Sequence, residues 1–115
     1  MKKTDMYDDV RKNLIQELRR GSVVIAVLSR LSKEHYGYTL LKELNELGFS
    51  IEQNTLYPLL RRLETQGLLS SQWKVEDPRP RRYYIRSETG TEVFHDLIKE
   101  SKKLQKILEV LCNEK

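Results

Sequence analysis

Asn54, Pro58, Arg61 and Thr65 recur at steps of three and four residues, with Tyr57 and Arg62 on their two flanks. On a helix these side chains share one side, and Leu56, Leu59, Leu60 and Leu63 take the other. The outward set is suited to reading the edges of base pairs. An asparagine amide matches the N6/N7 edge of adenine and a guanidinium matches O6/N7 of guanine. Tyrosine or threonine reaches a phosphate or a thymine methyl. Such chemistry is recognition, and it needs no nucleophile or general base. The same pattern would also suit an ordinary solvated helix face, so its meaning depends on what flanks it.

Downstream, Lys74, Arg79, Arg81, Arg82 and Arg86 face only Glu76 and Asp77, so thirteen residues carry a net +3 of the chain's +4. Cations clustered at a loop tip give affinity and orientation on a polyanion rather than sequence choice. Charges and prolines also guard an exposed sheet edge, and the two roles are compatible. In a strand, Arg81 and Arg82 point to opposite faces, so at most one is aimed at the phosphate row beside the helix. Tyr83 and Tyr84 divide likewise, one ring inward and one outward. Trp73, the only tryptophan, is expected to pack partly against the hairpin or a neighbouring helix.

The elements that must hold these residues can be read from periodicity. Tyr7, Val10, Leu14 and Leu18 mark an amphipathic helix that Arg19-Arg20-Gly21-Ser22 is expected to interrupt, with Ser22 capping the next. Val23 to Ser32 then reads as a helix buried all round, which in so small a domain suggests that a second subunit covers one side. Leu40, Leu41, Leu44 and Leu47 stripe a further helix that Gly48 ends. The base-reading helix should start near Asn54 or Thr55, either able to cap, because Pro58 is least costly in a first turn. Gly67 closes it. Leu68 to Trp73 and Arg81 to Ile85 are strands around a long loop, turn-like at Glu76-Asp77-Pro78. Thr89 and Glu92 match a capping box for the last helix. Along it, Phe94, Leu97, Ser101, Leu104, Leu108 and Leu111 alternate steps of three and four, like a coiled-coil seam.

The predicted fold is mainly α with a small β-hairpin (α+β): a winged helix-turn-helix followed by a C-terminal dimerisation helix. Residues 1–88 form the first part, including an N-terminal helical extension, and 89–115 the second. A chain of 115 residues fits one domain. Cys112 is the only cysteine, which excludes an internal disulfide and a zinc site built on thiolates. It is expected to pack at a seam. His35 and His95 are sixty residues apart without sequence-adjacent partners, and no phosphate loop or metal spacing occurs. No enzyme activity and no cofactor are expected. The longest apolar run, Val23 to Leu28, is far shorter than the roughly 20 residues that span a bilayer. The first residues lack an apolar signal core, so a cytoplasmic location is expected.

Tyr36-Gly37-Tyr38-Thr39-Leu40, Asn54-Thr55-Leu56-Tyr57-Pro58-Leu59-Leu60-Arg61-Arg62-Leu63-Glu64, Gly67-Leu68-Leu69 and Arg81-Arg82-Tyr83-Tyr84, in this order, resemble the PadR family of bacterial transcriptional regulators. The resemblance covers residues 18–111 and is strongest in its small-C-terminal-domain branch. It implies a homodimeric winged-helix repressor that binds double-stranded operator DNA near its own and neighbouring genes. In some members a small aromatic effector binds between the dimer helices and lowers DNA affinity. Carried over to this chain, Asn54, Thr55, Tyr57 and Arg61 contact DNA, with Tyr38, Lys74, Arg79 and Arg81 on phosphates. Val24, Val27, Leu28, Leu97, Leu104 and Leu108 fall at the dimer interface. The alternative is a winged-helix protein-interaction module without specific DNA binding, since fold does not dictate function. The positive tip beside an Asn/Thr/Tyr/Arg face is what such a module would not need.

Overall fold

The computed structural model describes residues 6–75 and 79–113; the turn read at Glu76-Asp77-Pro78 and the first five residues lie outside them. Helix α1 (Asp8–Arg30) is continuous over 23 residues, so the interruption expected at Arg19–Ser22 does not occur. Gly21 lies within it, and nothing stands within 4 Å of where its Cβ would be. One glycine weakens a helix by only about 1 kcal/mol relative to alanine, too little to break one whose far end is anchored in a core. Its C-terminal part is also less enclosed than expected. Val23 to Ala26 are half-buried and Arg30 is exposed. Val27 and Leu28, expected at a subunit interface, are fully buried within the chain's own core and have no surface left for a partner.

After α1 come β1 (His35–Tyr36), α2 (Gly37–Glu46) and α3 (Gln53–Thr65), then β2 (Leu69–Lys74), β3 (Arg81–Arg86) and α4 (Glu88–Cys112). The hairpin appears nearly as read: β2 is shifted one residue towards the C-terminus, and β3 is one residue longer at its end. Its pairing runs from Leu69 opposite Arg86 to Lys74 opposite Arg81. Strand β1 adds a third, antiparallel member on the other side of β3, with His35 opposite Tyr84 and Tyr36 opposite Tyr83. Two residues carry no periodicity, which is why sequence reading missed it.

Leu28 from α1 and Leu31 just past its end, Leu40 and Leu44 from α2, and Leu56, Leu60 and Leu63 from α3 meet in the core. Leu69 and Tyr84 of the hairpin close it from below. Residues at period 3.6 and period 2 thus converge on one apolar centre, each element burying one stripe. The radius of gyration is 17.3 Å, against about 13 Å for a compact domain of this length. The difference reflects the two ends that leave the body: the first half of α1 and the second half of α4. There, Val10, Leu14, Ile15 and Leu18 are between 47% and 74% exposed, and Leu104, Ile107, Leu108, Val110 and Leu111 between 45% and 76%.

Helix α4 is capped by Ser87, whose hydroxyl accepts from the Gly90 N–H at 2.9 Å, and not by the Thr89–Glu92 box. Ser87 is better tied than Thr89: its N–H donates to the Leu68 carbonyl and its hydroxyl to the Gly67 carbonyl. Arg86 secures the same corner. It donates to the Leu28 carbonyl at the end of α1 and to Thr91, and lies over the Phe94 ring.

Candidate nucleic-acid interface

The α2–α3 junction sets the site. Gly48, at φ +105°, takes the left-handed conformation expected just past α2. Asn45 then clamps the turn: its amide donates to the Leu41 and Ile51 carbonyls, and its carbonyl accepts from the Ile51 N–H, all at 2.9 Å. With Ile51 fixed in the core, Glu52 becomes the extended residue before the helix. Helix α3 therefore begins at Gln53, and neither Asn54 nor Thr55 caps it; both fall in its first turn. Asn45→Ala is expected to cost about 2 kcal/mol, because it strands backbone groups at a half-buried turn. Thermal unfolding would measure this, and an unchanged melting temperature would show that the clamp carries no stability.

On α3, Asn54, Pro58, Arg61 and Thr65 are exposed, as the wheel predicts; Thr55 is exposed beside them and Tyr57 is half-buried. Pro58 sits in the second turn, later than expected. It has no N–H to reach back to the Asn54 carbonyl, which loses its helical donor on the exposed face. Thr65 turns its hydroxyl back onto the Arg61 carbonyl at 2.9 Å. No side-chain obligation among the described hydrogen bonds or ion pairs holds Arg61.

The wing cations divide by strand face. Arg81 lies 4.7 Å over the Tyr36 ring, on the side of Tyr83. Arg82 points the other way and donates to Glu64 at 2.7 Å and to Ser71 at 3.0 Å, while Ser71 donates to Glu64 at 2.5 Å. This three-residue tie joins the last turn of α3 to both wing strands. Arg82 and Arg86, counted above with the phosphate-facing cations, are thus internal braces. Lys74 pairs with Glu34 at 2.6 Å and sits 4.6 Å from the Tyr83 ring centre. Gln72 shares the same carboxylate at 3.1 Å. Arg79 is exposed.

Tyr84 is the inward ring, 6% exposed, and burial pushes its phenol above the ordinary value, so it stays neutral at working pH. Trp73 is 65% exposed, much more open than expected, with the Arg82 guanidinium 5.9 Å from its ring.

Tyr38, Tyr57, Arg61, Arg79 and Arg81, five of the eight residues read as DNA contacts, line one cleft of about 430 Å³ between α3 and the wing. Tyr38 is 57% exposed at its rim and stacks on Tyr36, the ring centres 6.3 Å apart. Asn54 and Thr55 are not part of this cleft. Thr55 borders a separate groove of about 770 Å³ between α3 and the middle of α1, with Pro58, Leu59, Arg62, Phe49 and Ile15. Glu34 and Glu64 escaped the sequence reading because their partners lie in other elements, and Asn45 because Ile51 comes within its reach only once the α2–α3 turn has closed. Among the described residues, no group of three or more His, Cys, Asp or Glu side chains could hold a metal ion, and no helix is long and apolar enough to cross a membrane. Cys112 is exposed in the single chain.

Residues 24–96 match the Transcriptional regulator PadR-like family. The transcriptional regulator Rv3488 of Mycobacterium tuberculosis is 38% identical over 77 residues, which span 66% of this chain and 72% of that protein. Among solved structures, a PadR family transcriptional regulator from Eggerthella lenta superposes with a TM-score of 0.91 at 42% identity, covering 96% of this chain and 98% of that one. A Streptococcus transcriptional regulator gives 0.75 at 28% identity, with 84% and 97% covered.

Proposed function

We propose that this chain, which belongs to the PadR-like family of transcriptional regulators, acts as a dimeric repressor whose α3 helices enter successive major grooves of a pseudo-palindromic operator. Regulators of this family are not enzymes, so the proposal concerns binding alone. The observation that carries it is the shared cleft: Tyr57 and Arg61 of α3 and Arg79 and Arg81 of the wing open onto one concave surface. A duplex laid there meets base-reading groups and phosphate-binding groups at once. Half-sites about one helical turn apart would suit a two-fold dimer. The dimer is supported by the uncovered apolar residues of α4, including Leu104 and Leu108, with half-buried Leu97 and Val24 nearer the body. The targets include the chain's own promoter and neighbouring genes. Release by a small aromatic effector is part of the proposal, and requires that the effector bind the DNA-competent and released dimers with unequal affinity.

Fluorescence anisotropy with the chain's own upstream promoter DNA and a scrambled duplex, at two salt concentrations, tests this reading. Tight, selective and salt-sensitive binding is the expected result. Equal weak binding to both duplexes, upheld by genome-wide selection, would overturn it. Arg61→Ala is expected to cost about 1–3 kcal/mol on the selected sequence and little on the scrambled one. Equal losses on both would reassign Arg61 to the backbone.

A further inference from the structure

Gly37 is the first residue of α2, directly after the extended Tyr36. Its φ is not among the positive values, so nothing in the backbone conformation calls for glycine. What does call for it is space. A Cβ built on Gly37 would stand 2.8 Å from Cε1 of Tyr57, 3.4 Å from Cδ1 and 3.5 Å from Cζ. Three ring atoms at such distances mean that the Tyr57 ring rests against the Gly37 Cα. The contact joins the two helices of the helix-turn-helix at the floor of the cleft, where Gly37 and Tyr57 are both lining residues. Arg61 lies one turn further along the same helix and lines the same wall.

We infer that Gly37 is a positioning residue for DNA recognition: its missing side chain is the seat that fixes the Tyr57 ring, and so where Tyr57 and Arg61 meet the duplex. This deepens the proposed function and rests on α3 being the helix that reads DNA. An alanine at Gly37 must turn the ring away, since the side chain of Tyr57 can rotate and the start of α2 cannot. Alanine itself suits a helix better than glycine does. A selective loss of binding would therefore not follow from a weaker α2.

Four proteins test the seat: the parent, Gly37→Ala, Tyr57→Ala and the double variant, each titrated with the selected operator and a scrambled duplex. Gly37→Ala should lower operator affinity about tenfold and scrambled binding far less. In the Tyr57→Ala background, the same change should alter affinity less than about twofold, since the partner is already gone. Equal losses in the two backgrounds, or no loss in the parent, would overturn the role. If Gly37→Ala folds poorly, the coupling is read in melting temperatures, where Tyr57→Ala should rescue it; failure to rescue counts against the seat. A readout free of DNA is the Gly37 Hα resonance, expected upfield in the parent under the ring and ordinary in Tyr57→Ala. A parent without that shift has no seat. A protein with the shift that binds no duplex selectively sinks the DNA reading itself, and selective binding without coupling sinks the role of Gly37 alone.

Discussion

Replacing Gly90 with alanine is expected to lower stability by about 3 kcal/mol, a fall in melting temperature of at least about 10 °C. A Cβ at Gly90 would stand 2.0 Å from the Leu68 carbonyl oxygen and 3.0 Å from the Leu68 carbon and the Arg86 Cγ. The obstacle is backbone, not a side chain that can swing aside. Nor is that carbonyl at liberty: it accepts from the Ser87 N–H at 3.0 Å, one of the bonds that set the start of α4. The helix must therefore lift from the β2 entry, with consequences for the Arg86 bonds to Leu28 and Thr91. Gly21→Ala is the matched control. Gly21 is helical and open on all sides, so alanine there should stabilise by about 0.5–1 kcal/mol. If both variants melt like the parent, the docking of α4 on the hairpin is not as described.

The second large effect is expected from Leu104→Glu with Leu108→Glu. These side chains are 50% and 51% exposed in the single chain, so the fold itself should tolerate the change. If α4 forms the dimer seam, two buried charges replace two apolar anchors, and association should weaken by well over about 2 kcal/mol. Loss of bivalency then lowers operator affinity by about a hundredfold or more, while a single half-site is bound as before. Sedimentation and anisotropy with whole and half operators read the two effects separately. A variant that remains dimeric would move the interface elsewhere, with the exposed apolar residues of early α1 as the next place to mutate.

Much of this architecture is legible in the residues. The leucine stripe of α3 foretold which side is buried, Gly48 and Gly67 foretold where helices stop, and the outward set of Asn54, Pro58, Arg61 and Thr65 is exposed as expected. What could not be read depended on tertiary partners. Gly21 and Ser22 look like a stop signal, but packing of Val27, Leu28 and Leu31 outweighs one glycine. The Thr89–Glu92 box reads as the cap of α4, and the contacts of Ser87 to Gly67 and Leu68 are what place the cap at Ser87 instead. Arg82 and Arg86 were nearly within reach: alternation puts them on the same face as the inward Tyr84, which already argues against phosphate. The Glu34, Asn45 and Gly37 contacts carry no local pattern at all.

The continuity of α1 has a mechanical consequence. A helix of 23 residues is about 35 Å long, so a tilt of about 5° at one end swings the other by about 3 Å. Its far end is tied to the β3–α4 corner through Arg86 and to α2 through the ion pair of Arg30 with Glu43. Whatever seats on Leu14 and Leu18 therefore holds the long arm of a lever whose short arm bears on the winged-helix body. A flexible joint at Gly21 would absorb the motion; in the proposed dimer, an unbroken rod would deliver it as a change in the spacing between the two α3 helices.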